Sequence, residues 1–172
     1  MQKYSTQSAL LHWLSLLLIT ILFISGLVSH GFEAEAKDPD ILQSHIFLGI
    51  FLLVVSLARI WFRFSSKQPE ELETINKSHK IIKKSIQFLL YVFSILTPLA
   101  GLNIILSSDV DLEIIETRPE LLFSETTHLA REYHEIIAFT FMFLILAHSV
   151  GIILHILRTK TNILRRMWPD DG

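Results

Sequence analysis

The chain contains no cysteine among its 172 residues. That absence excludes a disulfide framework, a thiolate metal site, an iron–sulfur cluster and a covalently attached c-type haem. The sequence also lacks an HExxH zinc motif, a glycine-rich phosphate loop, a nucleophile elbow and any internal repeat. A metal or redox group in this protein must therefore be held by other side chains and without a covalent thioether link.

Long polar stretches are also scarce, because apolar residues make up 51% of the chain and occur in blocks. Four blocks reach the length of about 20 residues that a helix needs to cross a bilayer, at about 8–29, 43–64, 85–107 and 133–157. The first is longer than the apolar part of a secretion signal and no small-residue cleavage site follows it, so we expect it to be retained. The sequence predicts an all-α fold, a four-helix transmembrane bundle that forms one integral-membrane domain over residues 1–172.

Positive charge is nearly absent from one side of this predicted bundle. Four spans put both termini and the loop after the second span on the same side, which then carries twelve of the fifteen Lys and Arg residues. The opposite side has only Lys37, Arg118 and Arg131. The positive-inside rule therefore predicts a multi-pass protein of the bacterial inner membrane with both termini cytoplasmic. We expect membrane lipid around it and no nucleic acid as a partner.

Four histidines lie within the predicted spans, where ionisable side chains favour a functional role. At 1.5 Å of rise and 3.6 residues per turn, His134 and His148 of the fourth span share one face about 21 Å apart. Antiparallel spans then place His45 with His134 near the outer surface (the outer pair) and His12 with His148 near the cytoplasmic surface (the inner pair). Two imidazole pairs at two depths predict two six-coordinate b-type haems, each iron taking one histidine from each of two helices.

Other functions of membrane histidines require a different arrangement of the side chains. A zinc or copper site gathers three or four ligands at one depth. A proton relay needs a continuous file of titratable groups, whereas Leu, Ile and Phe separate the two levels. Each single histidine also has the alternative of a polar bridge between helices, and a non-redox membrane scaffold or metal carrier stays open as the corresponding function.

Two glycines fall at the level of the outer pair. Gly26 lies fourteen residues after His12 on nearly the same helix face, and Gly49 follows His45 by four residues. Small residues at these positions leave room for a flat cofactor, and close helix packing is the alternative.

Two further residues fall near the level of the inner pair. Arg59 lies fourteen residues after His45, where it would pair with a haem propionate or extend to the cytoplasmic surface. His155 lies seven residues after His148 at the cytoplasmic interface. Its imidazole is suited to hydrogen-bond a quinone carbonyl and pass it a proton, and a plain interfacial histidine is the alternative.

The chain resembles the bacterial cytochrome b561 family over essentially its whole length, in the segments SALLHW, SHIFLGIFLLVVSLARIWFR, LTPLAG, YHEIIAF, LILAHSVGIILH and NILRRM. The resemblance implies a four-helix inner-membrane protein with two b haems, whose ligands carry over onto His12, His45, His134 and His148.

Within that family, the chain is most similar to the type that oxidises superoxide at the outer face and reduces ubiquinone at the inner face. This similarity implies a role at the outer site for Arg131, three residues before the outer ligand His134. It implies that His155 belongs to the quinone site.

The outer loops are rich in acidic residues, which oppose the approach of an anion such as superoxide. Those of the longest outer loop are Asp109, Asp111, Glu113, Glu116, Glu120 and Glu125. An acidic outer surface suits a basic periplasmic redox protein or dehydrogenase, for which the chain would be an electron-transfer subunit. The sequence thus predicts electron transfer between the periplasmic face and ubiquinone or another quinone, with superoxide or a periplasmic protein as the donor.

Overall fold

The structure is a computed structural model that describes residues 2–31, 39–70, 77–108, 110–111, 113–114 and 118–168. Its four long helices are α1 (Thr6–Gly31), α2 (Pro39–Ser65), α3 (Lys77–Leu106) and α4 (His128–Thr159). Short 3-10 helices cover Pro119–Phe123, Glu125–Thr127 and Ile163–Met167. The described residues contain no strand. The prediction of an all-α chain with four long apolar helices is confirmed. Lys37, Asp109 and Glu116 lie outside the described residues.

The helices extend beyond the apolar blocks of the sequence. For example, α3 begins at Lys77 instead of 85, and α4 begins at His128 instead of 133. Block boundaries follow hydropathy, whereas backbone hydrogen bonding continues through polar residues once a helix leaves the apolar layer. Hydropathy therefore locates the part of each helix that suits the bilayer and underestimates its full length.

Four helical segments are long and apolar enough to cross a membrane, and the last of them includes the short 3-10 helix before α4. These segments are Thr6–Val28, Asp40–Ser65, Lys80–Leu106 and Glu125–Thr159. In each of the four segments, at most 17% of the most apolar stretch of 18 residues is buried inside the protein. Most apolar side chains thus point outward, which is the arrangement that a bundle surrounded by lipid requires.

The helices pack in chain order, α1 against α2, α2 against α3, and α3 against α4. The buried apolar cluster lies between the first two helices and consists of Leu18, Leu22, Leu52 and Val55. Contact between α1 and α4 includes the rings of Phe23 and Phe139, whose centroids are 5.6 Å apart. The buried apolar cluster thus belongs to α1 and α2, and the polar side chains of the site lie where these helices face α3 and α4.

Hydrogen bonds join the two termini and the α2–α3 loop at one end of the bundle. The indole Nε1 of Trp13 donates to the carbonyl oxygen of Met167 at 2.8 Å. The Arg166 Nη2 donates to the carbonyl oxygen of Glu70 at 2.7 Å, and the Glu70 amide donates to Gln2 Oε1 at 3.0 Å. These three segments of chain therefore meet on the same side, as an even number of crossings requires.

Candidate functional site

The outer pair brings together one imidazole from α2 and one from α4. The ring centroids of His45 and His134 are 6.2 Å apart and their planes make an angle of 84°. Two imidazoles that bind one metal ion from opposite sides, with metal–nitrogen bonds of about 2 Å, have centroids roughly 6 Å apart. Rotation about each metal–nitrogen bond leaves the angle between the planes free. The spacing of the outer pair thus matches ligation of a single ion.

The hydrogen bonds of the outer pair determine which nitrogen of each ring carries the hydrogen. His45 Nδ1 lies 2.8 Å from Ser25 Oγ, which donates its own hydrogen to the carbonyl oxygen of Leu22 at 3.0 Å. Ser25 Oγ therefore accepts from His45. His134 Nδ1 lies 3.1 Å from the carbonyl oxygen of Thr97, which can only accept. Both rings carry the hydrogen on Nδ1 and keep the lone pair of Nε2 for a metal, the usual arrangement of ligating histidines.

Glycines allow both rings of the outer pair to approach a neighbouring helix closely. A Cβ atom at Gly101 would lie 3.2 Å from His134 Cε1, and one at Gly26 would lie 3.4 Å from His45 Cε1. A Cβ at Gly49 would meet no atom within 4 Å. Gly101 thus makes room for a ligand ring, a Cβ at Gly26 would be in ordinary contact with the other ring, and Gly49 lies beside open space.

That open space is a cavity beside the outer pair. Both imidazoles and Gly49 line it, and most of the other lining residues are apolar, including Ile19, Phe23, Leu52, Pro98, Phe141 and Met142. A concave apolar site with a few fixed polar groups is suited to a flat organic cofactor. Together with the lone pairs on Nε2, this mostly apolar lining suits a non-covalently held haem b.

Ser25 provides a direct test of this hydrogen bonding. We expect Ser25→Ala to speed the transfer of haem from the outer site to an apomyoglobin scavenger by about 10- to 100-fold, the usual cost of losing the hydrogen-bond partner of a metal ligand. Thr20→Ala is the matched control, since Thr20 is an exposed α1 residue whose hydroxyl donates to the Leu16 carbonyl oxygen of its own helix. Equal transfer rates for the two variants would contradict the assignment of Ser25.

The inner pair lies around the guanidinium of Arg59. The Arg59 Nη2 is 3.1 Å from His12 Nδ1, and its guanidinium carbon lies 5.6 Å from the centroid of the Tyr91 ring. His148 on α4 is close enough to interact electrostatically with both His12 and Arg59. The structure therefore gathers side chains from all four helices at this level.

The contact between Arg59 and His12 has a consequence for ligation. A guanidinium only donates, so His12 Nδ1 accepts and the hydrogen of that ring is on Nε2. A histidine that ligates iron through Nε2 has its hydrogen on Nδ1 instead. Ligation by His12 therefore requires Arg59 to exchange the ring for another acceptor. A carboxylate such as a haem propionate is the strong partner of a guanidinium, so the residues of this level fit a haem after that exchange.

The two remaining candidates lie farther along α4 in each direction. Arg131 places its guanidinium carbon 5.0 Å from the Phe123 ring centroid and donates from Nη2 to the Ser124 carbonyl oxygen at 3.4 Å. Its Nε is buried and has no hydrogen-bond partner within the described part of the chain. The same holds for Nε2 of His155, which lies two turns beyond His148. Each residue thus has one buried nitrogen that a ligand can satisfy.

Two side chains, one backbone carbonyl and one glycine of the site escaped the sequence prediction. Ser25 and the Thr97 carbonyl hold the outer rings, Tyr91 contacts Arg59, and Gly101 accommodates His134. The segment LTPLAG, which contains Thr97 and Gly101, was the one available signal. Across the described ranges, no three His, Asp or Glu side chains gather to hold a metal ion.

Comparison with known proteins gives matches over nearly the whole chain. A family model described as "Prokaryotic cytochrome b561" matches residues 3–170. The chain is 26% identical over 171 residues to "Probable superoxide oxidase CybB" of Yersinia pestis, covering 98% of this chain and 97% of that protein. It is 24% identical over 174 residues to "Cytochrome b561 homolog 1" of Escherichia coli (strain K12), covering 98% of each.

Proposed function

Because the chain belongs to the prokaryotic cytochrome b561 family, we propose that it holds two b haems and transfers electrons between the periplasmic face and the quinone pool. The family accounts for a b-type haem, for membrane electron transfer and for a place in the bacterial inner membrane. The number of haems, the donor, the quinone and the cytoplasmic position of both termini belong to the proposal. Its main support is the outer pair, whose 6.2 Å ring spacing suits two ligands of one iron.

Each bound haem supplies a one-electron ferric/ferrous couple, whose potential depends on its ligands and their hydrogen bonds. His45 and His134 hold the outer group, and Ser25 and the Thr97 carbonyl fix their rings. His12 and His148 hold the inner group. About 21 Å of helix separates His134 from His148, so α4 supplies a ligand to both levels.

At the outer entrance, Arg131 is the cation nearest to the outer pair along α4. It lies one turn before His134, and its buried, unpartnered Nε suits an anion at this position. Superoxide gives up one electron and leaves as dioxygen, with no proton needed. The name of the Yersinia pestis relative supports superoxide as the donor.

At the inner end, His155 is the group suited to bind a quinone. Its buried Nε2 has no partner within the described part of the chain. An imidazole can donate a hydrogen bond to a quinone carbonyl from one nitrogen and, as that proton passes to the quinone, take up another proton on its second nitrogen. Reduction of a quinone to a quinol takes two electrons and two protons. Two superoxide anions therefore balance one ubiquinone.

A basic periplasmic redox protein is the second candidate donor. The outer loop residues Asp111, Glu113 and Glu125 are exposed, and such a surface steers a basic partner electrostatically. A basic protein would bind to the acidic loop, whereas superoxide, an anion, would bind near Arg131.

The purified full chain in liposomes with ubiquinone separates the two donors. We expect enzymatically generated superoxide to reduce the haems and to form ubiquinol at half the rate of superoxide consumption. Arg131→Gln should slow haem reduction, while Arg118→Gln, which removes the same charge from an exposed outer residue, should not. The partner-protein function is favoured instead if superoxide gives no ubiquinol and a reduced basic cytochrome c reduces the haems at a rate that falls steeply with salt.

His155→Phe tests the inner end by itself. We expect this variant to retain two haems and normal haem reduction, and to lose about tenfold or more of its rate of quinone reduction, since the proton donor is gone. His128→Phe serves as the control, because His128 is exposed at the opposite end of α4. Unchanged quinone reduction in His155→Phe would exclude His155 from the quinone site.

A further inference from the structure

We propose that Arg59 is the positioning residue that raises the reduction potential of the inner haem above that of the outer haem, and so directs electrons toward the cytoplasmic side. The inference rests on the proposed function, because it requires a haem at each pair of histidines. In this proposal, the positive charge of one side chain favours electron transfer from the outer haem to the inner haem.

The two pairs differ in the charge of the groups that contact their rings. At the outer level both Nδ1–H groups donate to neutral oxygens, the Ser25 hydroxyl and the Thr97 carbonyl. Such acceptors make the imidazole a more basic ligand, which favours ferric iron and lowers the potential. The Glu135 carboxylate also interacts electrostatically with His134. All of these contacts stabilise the oxidised outer haem.

At the inner level the dominant charge has the opposite sign. The guanidinium of Arg59 is 3.1 Å from His12 Nδ1 and interacts electrostatically with His148. Reduction adds one negative charge to the haem. A nearby cation stabilises that charge more strongly inside a low-dielectric bundle than in water. Arginine keeps its positive charge in proteins, so the effect is permanent.

The position of Arg59 differs from that of an arginine reaching the membrane surface. Arg63, one turn later on α2, is exposed, whereas Arg59 is half-buried and turned toward His12. The Tyr91 ring on α3 also contacts the guanidinium, at 5.6 Å, independently of which nitrogen of His12 carries the hydrogen. The cation therefore stays at the inner level when His12 ligates iron and Arg59 takes another acceptor.

An optical redox titration of the purified full chain tests this assignment. Haem per chain is measured first, and fewer than two haems in the wild type would refute the proposed function before the role of Arg59 arises. With two haems, Ser25→Ala identifies the outer one, because loss of the acceptor at His45 raises only that potential. We expect the outer haem so identified to have the lower potential in the wild type.

Variants at position 59 then measure the contribution of the charge. We expect Arg59→Gln to reduce the equilibrium constant for electron transfer from the outer to the inner haem at least tenfold, which is 59 mV for a one-electron couple. Arg59→Lys, which keeps the charge, should recover most of that difference. Arg63→Gln removes an equal charge outside the site and should leave both potentials unchanged.

Three results would overturn the assignment. Arg59→Gln with both haems bound and an unchanged difference in potential is one, and an equal effect of Arg63→Gln is another. The third is that the haem whose potential rises in Ser25→Ala, the outer haem, has the higher of the two potentials in the wild type. If Arg59→Gln loses the inner haem, Arg59→Lys decides the question: with both haems bound, a retained difference in potential supports the role of the charge, and a lost difference overturns it.

Discussion

Replacement of any one of His12, His45, His134 and His148 with alanine is expected to leave one haem per chain instead of two. Each iron in the proposed arrangement has one imidazole on either side, and a haem held from one side only loses half of its protein ligands. Haem content after purification, measured by the pyridine haemochrome absorption against protein concentration, gives the ratio. The two variants of each pair should lose the same haem, so the remaining spectrum should be alike within a pair and differ between the pairs.

His128→Ala is the control for these variants. His128 begins α4, is exposed, and lies 4.0 Å from the Glu132 carboxylate, away from both pairs. It should retain two haems. A variant of the outer pair that loses the same haem as His148→Ala would show that the histidines are paired differently.

Substitution of Gly101 is expected to remove most of the outer haem without touching a ligand. A Cβ atom added at this position would lie 3.2 Å from His134 Cε1. The branched side chain of Gly101→Val would therefore displace the ring from its hydrogen bond with the Thr97 carbonyl. Loss of that orientation should cost tenfold or more in haem affinity at the outer site. Haem content and the absorption of the remaining haem measure the effect.

Gly151→Val is the matched control, because Gly151 is also a glycine of a membrane-spanning helix and a Cβ there meets no atom within 4 Å. It should bind two haems and unfold at a similar temperature. If Gly101→Val retains the full outer haem, the close approach of α3 to His134 has no part in holding the ligand.

The four long apolar helices could be predicted because the composition of each block indicates its environment directly. A run of about twenty apolar residues is long enough to cross the bilayer as a helix, whichever residues flank it. The ends of the helices could not, since Lys77 to Ser85 is polar and yet helical. A polar sequence at a membrane surface is compatible with helix or loop, and hydropathy does not separate the two.

The levels of the candidate residues also follow from the sequence. Fourteen residues make nearly four complete turns, so Arg59 is expected on the His45 face and at the depth of His12. The structure places its guanidinium 3.1 Å from that ring. The depth of a residue along a helix depends only on the number of residues that precede it in that helix, so it can be calculated from a single sequence.

The partners of each ring could not be predicted in this way. Ser25 reaches His45 from another helix, and the Thr97 carbonyl reaches His134 from a third. Such contacts depend on the rotation of each helix and on the distance between axes, which no spacing within a single helix determines. Gly101 shows the same limit, because a glycine three residues after Pro98 has the same sequence pattern whether it permits a kink or a neighbouring ring.

An optical redox titration of the purified wild-type chain, combined with its haem content, tests the central claim most directly. The proposed arrangement predicts two b haems per chain, two one-electron transitions, and oxidation of the reduced protein by ubiquinone. A purified chain without b-type absorption, or with one haem and a single transition, would contradict it.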